Sequence, residues 1–226
     1  MGVDVAPSGR DGSVSRMVSP PAVNLLCRLA IAGIVLYVIL DVVAQLLPPH
    51  YSPIRQAESD LAVGPYGWIM TVNFVVRGLF SAAILIVLRR CLQVRHASLG
   101  LALLGVWMIA AFVLALFPTD LVGEHSVHGI IHLVVALLAF VSVTVAVELL
   151  SRSLADSPLW HTVGTRAAWI AHLVVAAFVV EILTSKIHRI SGLTERLFLA
   201  SVLLWLAVVA VNVVVAGRRV QAPVPD

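Results

Sequence analysis

The chain has 226 residues, of which 60% are apolar and 12% are charged, and its mean hydropathy is +1.02. Soluble domains average roughly 45–50% apolar and about 25% charged residues, so this composition excludes a soluble globular protein. It also excludes a disordered chain or a disulfide-rich scaffold. The net charge of +3 comes without a basic run interleaved with aromatic residues, which argues against nucleic acid as a partner.

Six apolar stretches are long enough to cross a bilayer, because a helix needs about 20 apolar residues to cross a hydrocarbon core of roughly 30 Å. Turn-forming residues separate the stretches, as at Gly64-Pro65 and Pro118. The predicted spans are 24–47, 67–88, 97–117, 126–150, 165–184 and 196–217. The chain is therefore predicted to be an all-α, polytopic transmembrane bundle of six helices.

The basic residues predict how this bundle is oriented. Ten Lys and Arg residues lie on the side of the two termini, and four lie in or near the loops 48–66, 118–125 and 185–195. Cytoplasmic segments are richer in Lys and Arg, so both termini are predicted to be cytoplasmic. Residues 1–20 are predicted to be a disordered tail, 21–217 the six-span domain, and 218–226 a second tail. The first apolar run is too long for a cleavable signal.

Two charged residues lie deep within the first two predicted spans. Asp41 is ~9 Å from the outer end of the first span, and Arg77 is ~16 Å into the second. Ionisable groups inside a membrane are functional candidates by default. We expect an Asp41–Arg77 ion pair within a buried polar network that also includes Asn73 and Glu181. The alternative is a structural pair that fixes the helix register.

The first outward loop predicts a short amphipathic helix on the membrane surface. Ser52-Pro53 is typical of a helix start, with an N-cap followed by proline. Its apolar positions are Ile54, Ala57 and Leu61. Its water-facing positions are Arg55, Glu58 and Asp60. Such a helix either covers a polar cavity or anchors the chain at the interface.

A histidine cluster opens the fourth predicted span. Spacings of three and four residues put His125, His128 and His132 on one helical face. Imidazoles spaced in this way can bind zinc when a carboxylate completes the shell, and the candidates are Asp120 on the preceding loop and Asp41 on the first span. The sequence therefore predicts a divalent-metal site, with zinc as an example. The alternatives are proton transfer and histidines bonded only to loop carbonyls or water.

Two motif segments resemble a known family. The first comprises Tyr51-Ser52-Pro53, the run 57–62 and Gly64-Pro65-Tyr66-Gly67-Trp68. The second is Phe117-Pro118-Thr119-Asp120 with the following His125 and His128. Together they resemble domain-of-unknown-function family 998 over about residues 20–217. The resemblance implies a six-span protein of a bacterial plasma membrane and no established activity. The resemblance assigns no catalytic or ligand role, but Glu58, Asp120 and His128 belong to its motif segments and are our candidate catalytic residues.

The concentration of polar residues in and beneath the outward loops predicts a pocket open to the extracytoplasmic side. Three functions are compatible with such a pocket. The first is an enzyme, metal-assisted or not, that modifies lipid or envelope material. The second is a small-solute or proton-coupled transporter. The third is a non-catalytic protein that binds a lipid, a small molecule or a partner. All three share the lipid bilayer as their surroundings.

Overall fold

A computed structural model describes the backbone of residues 21–47, 50–92, 97–121, 123 and 125–221, with side chains as far as residue 216. Within these ranges the chain forms helices and turns, and no strand. The tail predicted for residues 1–20 lies outside the described residues. The all-helical prediction is confirmed for the described part of the chain.

Each predicted span corresponds to one α-helix of the structure. Five of the helices are long and apolar enough to cross a membrane, whereas α3, with 17 residues, is shorter. The last helix continues to Gln221, beyond the predicted start of the second tail. The helices are α1 (Pro21–Leu46), α2 (Gly67–Cys91), α3 (Ser98–Leu114), α4 (Val127–Ala155), α5 (His161–Thr184) and α6 (Ser191–Gln221).

The six helices form a closed ring. Each helix packs against the next one in sequence, and α6 also packs against α1. The faces that α1 and α5 turn outward are apolar, with Leu29, Ile39 and Leu173 each more than half exposed. Because a soluble monomer rarely exposes a large contiguous apolar surface, these faces are suited to contact with lipid.

Large aromatic side chains fill the interior of the ring. Trp107 of α3 and Trp205 of α6 are fully buried. The indole N–H of Trp107 donates to Ser81 Oγ at 3.1 Å, and that of Trp205 donates to Ser151 Oγ at 2.9 Å. A buried indole needs such a partner, and these two hydrogen bonds supply it while they link α2 to α3 and α4 to α6.

Residues 51–62, called the covering segment below, lie across one end of the ring. Instead of the predicted amphipathic helix, the segment forms a turn at residues 52–56 and a short 3-10 helix, Glu58–Ala62. The 3-10 helix packs against α1, α2 and α6. The predicted water-facing position of Glu58 is also wrong, because this side chain is 3% exposed. Its partners within the bundle turn it inward.

The start of α6 lies in close contact with the covering segment. The backbone N–H of Leu193 donates to the Ile54 carbonyl at 3.1 Å. A Cβ atom placed on Gly192 would lie 2.1 Å from the Gln56 carbonyl oxygen and 2.8 Å from that of Pro53. Only a glycine at position 192 allows the two backbones to approach this closely.

We therefore expect Gly192→Ala to displace the covering segment and to lower the free energy of unfolding by about 1–3 kcal/mol, the usual cost of overpacking. Thermal unfolding of the protein in detergent, followed by tryptophan fluorescence, measures the loss. Gly105→Ala is the matched control, since its Cβ would meet only Leu85 Cδ2 at 3.9 Å. Equal stability of the two variants would contradict the close approach at Gly192.

Candidate functional site

Arg196, one turn into α6, holds the covering segment in place. Its Nη1 donates to the carbonyl oxygens of Pro53 and Gln56, at 3.1 and 3.0 Å, and to that of Gly192 at 3.2 Å. Its Nη2 donates to Tyr51 Oη at 2.6 Å, and the guanidinium lies 5.2 Å from the centre of that ring. Burial raises the pKa of Tyr51, which keeps its hydroxyl protonated. One cation thus satisfies backbone oxygens of a segment that has little regular structure.

Glu58 points into the bundle from the covering segment. Tyr37 Oη donates to Glu58 Oε1 at 2.5 Å, and the backbone N–H of Glu58 donates to Glu195 Oε2 at 3.1 Å. Burial, with the nearby charge of Asp41 adding to it, raises the pKa of Glu58 from 4.5 to about 7. This carboxyl group can therefore gain or lose a proton close to neutral pH.

Asp41 is paired with a different arginine from the one expected. Gln45 Nε2 donates to Asp41 Oδ2 at 2.6 Å, and Arg196 Nη2 lies 3.9 Å from Asp41 Oδ1. Among the ion pairs of the described residues there is none between Asp41 and Arg77. The expected Asp41–Arg77 pair is therefore replaced by a pair that joins the first and last helices of the ring.

Arg77 lies in α2 and is 2% exposed. Its guanidinium carbon is 4.9 Å from the ring centre of Phe74 and 4.4 Å from that of Trp107, so aromatic faces support the charge. Within the described part of the chain, Arg77 Nε and Nη2 are buried without a hydrogen-bond partner. No hydrogen bond joins Arg77 to Asn73, since Asn73 Oδ1 has no partner among the described residues and Asn73 Nδ2 lies 3.8 Å from Met70 Sδ. Arg77 is thus a buried charge with incomplete hydrogen bonding.

A cavity of about 220 Å³ lies beneath the covering segment and is lined by residues from it, from α2, α3, α4, α5 and α6, and from the connection between α3 and α4. Burial raises the pKa of Asp60, one of its lining groups. Of the predicted network, Arg77 and Glu181 line the cavity, whereas Asp41 and Asn73 are not among the lining residues. Its ionisable lining groups are Glu58, Asp60, Arg77, His132, Glu181 and Glu195.

Asp120 stabilises the start of α4. Its Oδ2 accepts from the backbone N–H of Ser126, and its Oδ1 accepts from Ser126 Oγ, both at 2.6 Å. Ser126 is the N-cap of α4, because its Oγ accepts from the Gly129 N–H at 3.0 Å. The two hydrogen bonds that Asp120 accepts from Ser126 are the main cause of its lowered pKa. Its carboxylate oxygens are therefore engaged in a helix-capping network.

The histidines of the predicted metal site have different environments. His132 is 4% exposed and its Nδ1 donates to the Phe117 carbonyl at 2.7 Å, while His125 and His128 are exposed. The His128 ring lies 5.6 Å from the Phe117 ring. No three His, Cys, Asp or Glu side chains of the described residues form a group that could hold a metal ion. A site made of His125, His128, His132 and Asp120 stays a prediction.

The three candidate catalytic residues are likewise not brought together. Glu58 lines the cavity, but Asp120 and His128 are not among its lining residues. Two residues that do belong to the site, Glu195 and Arg196, are not among the candidates predicted from the sequence. The signal that could have singled them out is their position directly before the apolar run 197–216, in the same helix. Adjacent charges next to such a run need partners within the bundle.

The helical ring and its apolar outer faces define an integral, multi-pass membrane protein. The chain belongs to the family of proteins of unknown function DUF998, whose family model matches residues 31–212. The resemblance in the motif segments is thereby confirmed. Neither the curated proteins nor the solved structures include a match to the chain.

The raised pKa of Glu58 predicts a pH dependence of stability. When the pKa of an acid is higher in the folded state than in the unfolded state, its contribution to stability is complete at pH values below the unfolded-state pKa. This contribution is lost as the pH rises through the folded-state pKa. Wild-type stability should therefore fall between pH 4.5 and about 7, by a contribution of the order of 3 kcal/mol. Glu58→Gln keeps a hydrogen-bond acceptor for Tyr37 but cannot ionise. In thermal scans its stability should therefore not show this decrease between pH 4.5 and about 7. A parallel pH profile for the two proteins would contradict the assignment.

Asp120 predicts the opposite dependence. Because its folded-state pKa is lowered, its contribution to stability is present at neutral pH and disappears as pH falls from about 4 through the lowered value. Asp120→Asn should lower the unfolding temperature at pH 7, and the difference from wild type should shrink near pH 3. In a Ser126→Ala background the same substitution should have a smaller effect, since the two residues share one cap. Additive effects would contradict the capping role.

Proposed function

We propose that this protein binds a small ligand carrying an anionic group in the cavity beneath the covering segment. The observation that supports this most directly is Arg77, a buried guanidinium on the cavity wall with two nitrogens unpartnered among the described residues. Arginine stays charged at neutral pH, and a buried charge without a partner is costly. Removing one partner of a buried ion pair, which leaves such a charge, typically costs about 3–5 kcal/mol. A bound oxyanion would supply the missing partner through charge-assisted hydrogen bonds.

The surroundings of Arg77 favour binding over a purely structural role. Contacts with Phe74 and Trp107 fix the guanidinium before any ligand arrives, which reduces the ordering cost of association. The carboxyl groups of Glu58, Glu181 and Glu195 lie on the same cavity and can accept hydrogen bonds from other parts of a ligand. The cavity therefore combines one preorganised cation with several acceptors, as expected for a polar ligand site.

We further propose that this cavity faces the extracytoplasmic side of a bacterial plasma membrane. In this arrangement all six helices of residues 21–217 cross the bilayer, and the tails 1–20 and 218–226 are cytoplasmic. The distribution of ten and four basic residues supports the orientation. Helix α3 packs between α2 and α4, which are both long enough to span. Its 17 residues extend roughly 26 Å, slightly less than the hydrocarbon core of about 30 Å.

A second candidate function is catalysis on the bound ligand, with Glu58 as general acid or base. The observation that favours it is the pKa of about 7 that burial gives this cavity-lining carboxyl group. Proton transfer is most effective when the catalytic pKa lies near the working pH. The version of this enzyme that uses Asp120 and His128, or a metal on the histidine cluster, is supported by the sequence pattern alone.

We expect the wild-type protein purified from its own membranes to retain a ligand that native mass spectrometry detects as an adduct. Arg77→Gln should reduce its occupancy at least about tenfold, because a hydrogen bond to a charged group contributes roughly 1.5–3 kcal/mol. Arg189→Gln is the matched control, since Arg189 is exposed and lies outside the cavity lining. Thermal scans verify that each variant is folded.

Each alternative outcome of this experiment has a definite meaning. A wild-type protein without an adduct, or an adduct equally retained by folded Arg77→Gln, would overturn the binding proposal. A ligand that wild type converts and Glu58→Gln only binds would favour the enzyme. Stoichiometric metal that disappears in the double variant His128→Ala, His132→Ala would favour the metal site instead.

A further inference from the structure

The cavity reaches the outer surface of the ring on its lipid-facing side. Leu133 of α4 lines the cavity and is 69% exposed. Glu181, on the neighbouring helix α5, lines the same cavity. A side chain that belongs to both a cavity wall and the outer face of a spanning helix marks an opening toward lipid. This opening therefore lies between α4 and α5.

The size of the cavity limits what can occupy it. A protein cavity of about 150 Å³ binds one benzene molecule, so a cavity of about 220 Å³ holds a polar group of roughly similar size and no long chain. If the occupant carries an acyl chain, that chain must remain outside. The apolar face of α4 next to the opening offers a surface for it, with Ile130 58% and Leu137 49% exposed.

The charged groups that line the cavity determine which polar group of a ligand can bind there. Arg77 lacks hydrogen-bond partners on Nε and Nη2 within the described residues, and these two nitrogens form one edge of the guanidinium, suited to two oxygens of an oxyanion. Glu181 Oε2 is likewise buried without a partner in the described part of the chain. Together with Glu58 and Glu195 it can accept hydrogen bonds. The complementary ligand therefore combines an oxyanion with nearby hydrogen-bond donors.

We infer that the occupant of this cavity is a membrane phospholipid that enters between α4 and α5 with its headgroup. The phosphate lies against Arg77, and an amine or hydroxyl group of the headgroup donates to the cavity carboxyl groups. The acyl chains stay along the exposed face of α4 and remain in the bilayer. This inference rests on the proposed ligand binding and adds the class of ligand and its route.

The test uses full-length protein, stripped of lipid in detergent, with native mass spectrometry as the readout. Added phosphatidylethanolamine and phosphatidylglycerol, whose headgroups carry donors, should bind at least about tenfold more tightly than phosphatidylcholine, which carries the phosphate but no donor. Soluble glycerophosphoethanolamine at the same concentration should not be retained. Equal retention of phosphatidylcholine, or equal retention of the soluble headgroup, would overturn the inference.

The route is tested with two variants of α4. Leu133→Trp places a larger side chain at the opening and should reduce phosphatidylethanolamine occupancy severalfold, whereas Leu138→Trp should leave it unchanged. Leu138 is the matched control because it is 55% exposed on the same helix and is not among the cavity lining residues. Equal occupancy in the two folded variants would overturn the lateral route.

Failure of this inference is distinguishable from failure of the proposed function. An Arg77-dependent adduct that proves to be a water-soluble molecule would leave ligand binding intact and exclude the phospholipid. The absence of any Arg77-dependent adduct would remove both.

Discussion

The site depends on one guanidinium group, that of Arg196. The covering segment has few backbone hydrogen bonds of its own, and carbonyl groups near a hydrocarbon region are costly when unpaired. Arg196 satisfies two of these carbonyls, stacks on Tyr51 and lies beside Asp41. With the segment held in this way, Glu58 is directed inward to Tyr37 and Glu195 instead of outward to water. The position of the covering segment over the cavity and the inward direction of Glu58 therefore both depend on Arg196.

Arg196 and Arg77 show how differently one residue type is used within the same bundle. Arg196 makes hydrogen bonds to four partners and has a carboxylate nearby, so it is a structural element. Arg77 is more deeply buried, is supported by aromatic rings, and has two unpartnered nitrogens within the described residues. Arg196 has only Nε unpartnered among the described residues, whereas Arg77 lacks partners on both Nε and Nη2, and a buried charge with so few hydrogen bonds is a poor source of stability. This difference makes Arg77, and not Arg196, the residue suited to bind a ligand.

The elements of the fold were predictable from sequence because the hydropathy of each span is a local property. The orientation of Glu58 was not, since its partners lie 21 and 137 residues away in the chain. Its helical spacing with other polar residues suggested a water-facing position, and tertiary contacts overrode that pattern. The metal site expected of the histidine cluster stays a prediction, and the described residues contain no group that could hold a metal ion, for a related reason. Helix α4 begins at Val127, so His125 precedes the helix on which its spacing was counted, and Asp120 is already engaged by Ser126.

The order of the helices around the ring has a consequence for biogenesis. Since neighbours in space are also neighbours in sequence, a nascent chain can pair its helices one after another as they leave the ribosome. Only α6 completes the circle, and α6 also carries Arg196 and Glu195. Until that last helix is inserted, Asp41 and the backbone carbonyls of the covering segment lack their cation. A chain that ends before α6 would therefore leave these polar groups unpaired next to lipid, where each of them is costly.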